Sequence, residues 1–242
     1  MPRSIKKPVK KQSAKRTGAE DIPVYSDLRE GIARRKKTFV SVAVTVAAVL
    51  AVAAGLYFHH ESAVARANYY NARGYAVFYG LSPETPAAGA QRYAQALSWF
   101  EKAYGARASA YSLYYIGASR YELGQYDQAV KALSRVRSLY PDDAQFVPLS
   151  LYKTAMIELQ LGKKGEALKY LRMMENSRFD ALKDMAYYED ARLLESMGKK
   201  DAASRKFEEL IGKFPQSPYA VDIEAQRAAG KAPSKQTPKP AR

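Results

Sequence analysis

AYSLYYIGASRYELGQYDQAVKALSRVRSLYPDD, residues 110–143, is the stretch whose reading decides the fold of this 242-residue chain. Its small and apolar residues fall at Leu113, Ile116 and Gly117, then at Ala129, Leu133 and Val136, two sets of helical spacing parted by Gly124 and closed by Pro141. The reading is helix, turn, helix. Gly117 and Ala129 are small where two paired helices have to approach nearly backbone to backbone, and a larger side chain there would force them apart. The turn recurs as LGQYDQA at 123–129, LGKKGEA at 161–167 and MGKKDAA at 197–203, with Gly124, Gly162 and Gly198 spaced by 38 and 36 residues. From residue 91 onward no alternating stretch is long enough for a strand, so the predicted fold class is all-α.

Helix pairs repeating near a 34-residue period resemble the tetratricopeptide repeat, which implies a helical solenoid. The unit at 110–143 matches that family best. In 148–179 the matching places are taken by Ala155, Gly162, Ala167, Leu171 and Met174, and in 184–217 by Ala191, Gly198, Ala203, Phe207, Leu210 and Pro215. Both lack the first-helix glycine, and the middle one also lacks the closing proline. A degenerate first unit is expected at 67–105, with Gly74 on one helix and Ala96, Phe100 and Ala103 on its partner, parted by the Pro-rich loop 82–89. Ser217 followed by Pro218 reads as an N-cap with proline at the first helical position, so a capping helix is expected at 218–229, completing a repeat domain over 59–229.

In this family the first helix of each unit lines the groove. Transferred by alignment, the groove positions are Tyr111, Tyr114, Ala118 and Tyr121, then Leu149, Tyr152, Met156 and Leu159, then Met185, Tyr188, Arg192 and Glu195. The candidate partner groove is therefore Tyr111, Tyr114, Tyr121, Tyr152, Met156, Tyr188 and Arg192, an aromatic and apolar trough suited to peptide. Repeats that grip a partner's C-terminal carboxylate use Lys, Arg and Asn at such positions. Tyr114 and Ala118 stand there instead, so that mode is not expected. The alternative is a groove filled by the protein's own long helix, by tight curvature or by a neighbouring subunit.

Upstream, FVSVAVTVAAVLAVAAGLYF at 39–58 is twenty residues without a charge. At about 1.5 Å per residue it spans the ~30 Å hydrocarbon core, so a single transmembrane helix is expected at 39–58. The run exceeds the ~7 to 15 residues of a signal-peptide core and follows a 37-residue charged leader, which favours an uncleaved anchor. Arg34, Arg35, Lys36 and Lys37 precede it and the first basic residue after it is Arg66, an asymmetry that keeps the N-terminus cytoplasmic. Ala43, Ala47, Ala51 and Gly55 recur every fourth residue as a small-residue packing face. Residues 25–38 read as a juxtamembrane helix, and 1–24 and 230–242 as disordered basic tails.

The net charge of +15 is carried by those tails: residues 1–37 hold 12 Lys/Arg against 4 Asp/Glu and residues 227–242 hold 5 against none, whereas 59–226 hold 22 against 20. That distribution argues against a folded nucleic-acid surface. No catalytic residue, cofactor or metal site is expected. His59 and His60 are adjacent, about 100° apart on a helix, and no phosphate loop, HExxH or nucleophile elbow appears. With no cysteine, no lipid-modified Cys or disulfide can form.

The whole plan resembles the YfgM-type family, N-anchored repeat proteins of the bacterial inner membrane that sit beside the Sec translocon and associate with periplasmic chaperones. The resemblance implies a non-enzymatic, single-pass inner-membrane protein with a periplasmic protein-binding domain that assists chains emerging from the translocon. Alternatives are a scaffold for envelope biogenesis, division or secretion machinery, and a self-assembling structural module.

Overall fold

The computed structural model describes residues 23–81 and 89–230. The expected tails, up to residue 22 and from 231, and the loop over 82–88 lie outside these residues. Among the described residues nine helices and no strand occur: α1 (Pro23–Tyr79), α2 (Ala90–Ala106), α3 (Ala110–Glu122), α4 (Tyr126–Leu139), α5 (Phe146–Gln160), α6 (Lys164–Glu175), α7 (Lys183–Ser196), α8 (Lys200–Lys213) and α9 (Pro218–Ala228). The protein is all-helical. It divides between His59 and His60 into two compact units.

In the first unit every side chain from residue 38 to 58 is exposed, including Phe39, Val44, Leu56 and Phe58. Within α1 the portion Thr38–Tyr79 is long and apolar enough to cross a membrane. The two hydroxyls of the run are satisfied inside the helix: Ser41 Oγ donates to the Thr38 carbonyl (2.8 Å) and Thr45 Oγ1 to that of Ser41 (2.9 Å). Carbonyls one turn back thus satisfy both hydroxyls without water. Ala43, Ala47, Ala51 and Gly55 are exposed too, with open space around Gly55.

The second unit is a stack of helix pairs, α3 on α4, α5 on α6 and α7 on α8, joined through α2 on α3, α4 on α5 and α6 on α7. Each pair turns on a glycine in the left-handed region, Gly124 (φ 71°), Gly162 (φ 73°) and Gly198 (φ 76°), where a Cβ would be strained. The closure is the same three times. Gly124, Gly162 and Gly198 N–H bond to the carbonyls of Tyr121, Leu159 and Glu195 (2.9 Å each), and the next N–H groups, of Gln125, Lys163 and Lys199, reach back to Arg120, Glu158 and Leu194 (2.8, 2.8 and 2.9 Å). That pair of bonds is the Schellman closure, which satisfies carbonyls left over at the end of the first helix.

Packing inside each pair depends on small residues. A Cβ on Gly117 would lie 2.8 Å from Leu133 Cγ and 3.4 Å from the Ala129 carbonyl. Ala155 and Ala191 hold the equivalent place in the next two pairs, both wholly buried, clustered with Leu171 and Phe207 respectively. The outer part of α1 meets α2 by the same device: a Cβ on Gly74 would come within 2.8 Å of the Phe100 ring, and Ala96, Phe100 and Ala103 are wholly buried. At the other end Ser217 Oγ accepts from the Tyr219 N–H (3.2 Å) and donates to Asp184 Oδ2 (2.8 Å), and Ala220 and Ile223 of α9 cover Phe207 and Leu210.

Because Ala129 has no exposed surface, Ala129→Leu is expected to overpack the α3/α4 pair and cost roughly 1 to 3 kcal/mol. Chemical denaturation of the full chain in detergent micelles, followed by circular dichroism, checks this.

Candidate partner groove

The expected groove residues lie on α3, α5 and α7, and aromatic contacts fix the surroundings of several of them. Tyr111 and Tyr114 of α3 both lie against Phe146 at the start of α5, with ring centroids 5.5 and 5.4 Å away. Tyr115, on the other side of α3, stacks on Phe100 (4.8 Å, 15°) and contacts Tyr75, Phe78 and Tyr79 of α1. This hub is 8% exposed and belongs to the core. Tyr115 was not among the residues expected to matter. The YY pair at 114–115 carries the signal, since neighbouring helical residues point about 100° apart and must serve different faces.

Tyr121, Tyr152 and Met156, expected in the middle of the groove, are half-buried. Lys153 Nζ lies 4.9 Å from the centre of the Tyr121 ring, a cation–π contact. Burial lowers the Lys153 ammonium, with Glu122 pulling the other way, and burial raises the Glu189 carboxyl, with Arg192 opposing it. Tyr152 is pushed up to about 12 by burial, then by Glu189, Tyr219 and Tyr121, and Tyr111 to about 12 by burial and by Tyr75 and Tyr79. Burial raises Tyr114 and Tyr121 as well. These phenols are therefore neutral hydrogen-bonding groups near pH 7.

At the far end, Tyr188 is only 3% exposed because Tyr219 of α9 stacks on it (4.8 Å, 25°), with Phe207 behind. Arg192 Nη1 donates to Tyr188 Oη (3.1 Å), and its Nε lies 3.9 Å from Glu195. Tyr188 is thus a floor residue and Arg192 its half-buried neighbour. Tyr79, at the end of α1, acts electrostatically on Tyr111 and Tyr114. Tyr219 thus covers Tyr188, while Tyr121, Tyr152, Lys153 and Met156 each stay half-buried.

The tetratricopeptide repeat family model matches residues 111–143 and 186–217. Among solved structures, the chain is similar to MamA AMB-1 in its P212121 form, at 19% identity over 69% of this chain and 84% of that one, with a TM-score of 0.45. It is also similar to YrrB, described as a TPR protein with an unusual peptide-binding site, at 18% identity over 81% of this chain and 97% of that one, TM-score 0.47. No curated protein sequence matches the chain. The protein carries tetratricopeptide repeats, a fold that implies a protein-interaction module.

Burial separates the tyrosines by the cost of removing them. Tyr188→Ala is expected to destabilise by about 3 kcal/mol or more, as buried aromatic truncations do. Tyr121→Ser, at a half-exposed rim, is expected to cost less than about 1 kcal/mol. Urea midpoints of the two variants, measured side by side, check the ordering.

Proposed function

We propose that this protein is a non-enzymatic, membrane-anchored binding module of the bacterial cell envelope. The apolar run of α1 crosses the inner membrane once with the N-terminus in the cytoplasm, and the repeat domain works in the periplasm. The trough over Tyr121, Tyr152, Lys153 and Met156 receives an extended or helical peptide segment. The client is a protein emerging from the Sec translocon, the role that the likeness to YfgM-type proteins implies.

The observation that carries the reading is the set of half-buried aromatic and thioether side chains on the first helices of successive repeats. Tyr and Met give adaptable contact area with few committed hydrogen bonds, which suits varied partners. The anchor is supported by a twenty-residue uncharged run whose side chains are all exposed, a surface that water penalises and lipid does not. The orientation rests on the four basic residues at 34–37. The stacking of Tyr219 over Tyr188 favours a second reading, in which the domain fills its own groove and serves as a structural assembly unit.

A photo-crosslinking residue at position 121 is expected to capture nascent exported chains in intact cells, while one at Glu208 on α8, exposed and outside the trough, captures none. Equal capture at both positions would remove the groove as the binding site. A change of mass on dilution of the purified protein, with no capture at 121, would favour self-assembly. For topology, a reporter active only in the periplasm should work when fused after Arg242 and fail when inserted near Arg16. The reverse pattern would overturn the localisation.

A further inference from the structure

Away from the trough, where α6, α7 and α8 meet, the protein buries two carboxylates against each other. Asp190 of α7 has no exposed side-chain surface and Glu175 at the end of α6 only 4%. One oxygen of each is paired: Arg172 Nε donates to Asp190 Oδ2 (3.1 Å) and Lys206 Nζ of α8 donates to Glu175 Oε2 (3.1 Å). The second oxygens, Glu175 Oε1 and Asp190 Oδ1, are buried and receive no donor. Glu175 stands one helical turn beyond Arg172, the residue that holds Asp190, so the two buried carboxyl groups sit at the same face of α6. Two buried acceptors facing each other are strongly unfavourable, and a single proton between them satisfies both.

We propose that Glu175 Oε1 carries a proton that it donates to Asp190 Oδ1, and that losing this proton to water loosens the α6–α7 junction, making it a pH-sensitive latch in the repeat stack.

The surroundings have been assembled for this on every side. On its own helix Arg172 neutralises Asp190. On α8 Lys206 faces Glu175 and is shared with Glu209 (3.4 Å), which also holds Lys213 (3.8 Å). On α7 the Tyr187 ring lies 4.7 Å from both lysine ammoniums, and its hydroxyl accepts from Lys213 (2.6 Å). On α5 Glu158 pairs with Lys163 (3.7 Å). Burial pushes the Glu175 carboxyl up to about 7, Lys206 pulling it down and Asp190 pushing it further up. The folded protein therefore holds a proton that the unfolded chain releases near the ordinary value of 4.5. Stability falls as pH rises between those two values and levels off above the higher one.

Glu175→Gln keeps a donor for Asp190 and an acceptor for Lys206 without the titration. The test uses the full chain in detergent micelles, wild type and Glu175→Gln, with urea denaturation from about pH 5 to pH 8. The wild-type midpoint is expected to fall by about 1 M urea relative to the variant across that range. In the wild type alone, carbon-13 NMR of the glutamate carboxyls is expected to find one group titrating near neutrality, with coupled shifts in the amides around residue 190. A midpoint difference that does not change with pH would overturn the latch. So would a carboxyl titration with every glutamate ionised by pH 6, and that measurement decides the matter even if the variant fails to fold.

Discussion

The close approach of the two helices within a repeat is the constraint on which the rest of the second unit depends. Gly117 leaves no room for a Cβ beside Leu133, and Gly74 leaves none beside Phe100. Where the glycine is replaced by Ala155 or Ala191, the partner is again wholly or nearly buried. Such a pair cannot bury its outer faces alone, so pairs must stack, and a stack needs sealed ends. At one end α9 places Ala220 and Ile223 over the last pair; at the other, the outer part of α1 closes on α2. Stacking also brings the first helices α3 and α5 into contact.

Tyrosine serves two purposes in that arrangement. Tyr115 and Tyr188 are core residues, whose rings supply packing area between repeats. Tyr121 and Tyr152 keep part of their surface in water. Truncation at the rim is therefore expected to cost the fold little, whereas truncation at the floor costs it several-fold more. The residue type is shared, but the physics differs with burial, since a ring stripped of water contributes several-fold more than one at a rim.

Charge is distributed by a similar logic. Nearly all the net charge lies in the sequence segments on either side of residues 59–226. The body is close to neutral yet buries Asp190 and Glu175, each paired with a more exposed cation, Arg172 or Lys206. Buried ionic groups of this kind add little net stability, but their arrangement tolerates few alternatives. The junction between α6, α7 and α8 is accordingly held by directional bonds, unlike the α3/α4 pair, which is held by shape.

The sequence by itself determined the all-helical class, the positions of the three turns and the small residues at each crossing. Glycine spacing and 3.6-residue periodicity are local properties, and Gly124, Gly162 and Gly198 announce a left-handed closure wherever the chain folds. The uncharged run at 39–58 was equally legible, because length and absence of charge are compositional. Which tyrosines would be floor and which rim was decided only in three dimensions. Alignment to the family placed Tyr188 with the groove residues, but α9 returns Tyr219 over it, and no local pattern records that return. The same holds for Glu175 and Asp190, fifteen residues apart with nothing in their neighbours to mark them. They meet only because consecutive helices cross there, and burial acts on groups that the fold brings together and not on groups that the chain lists together.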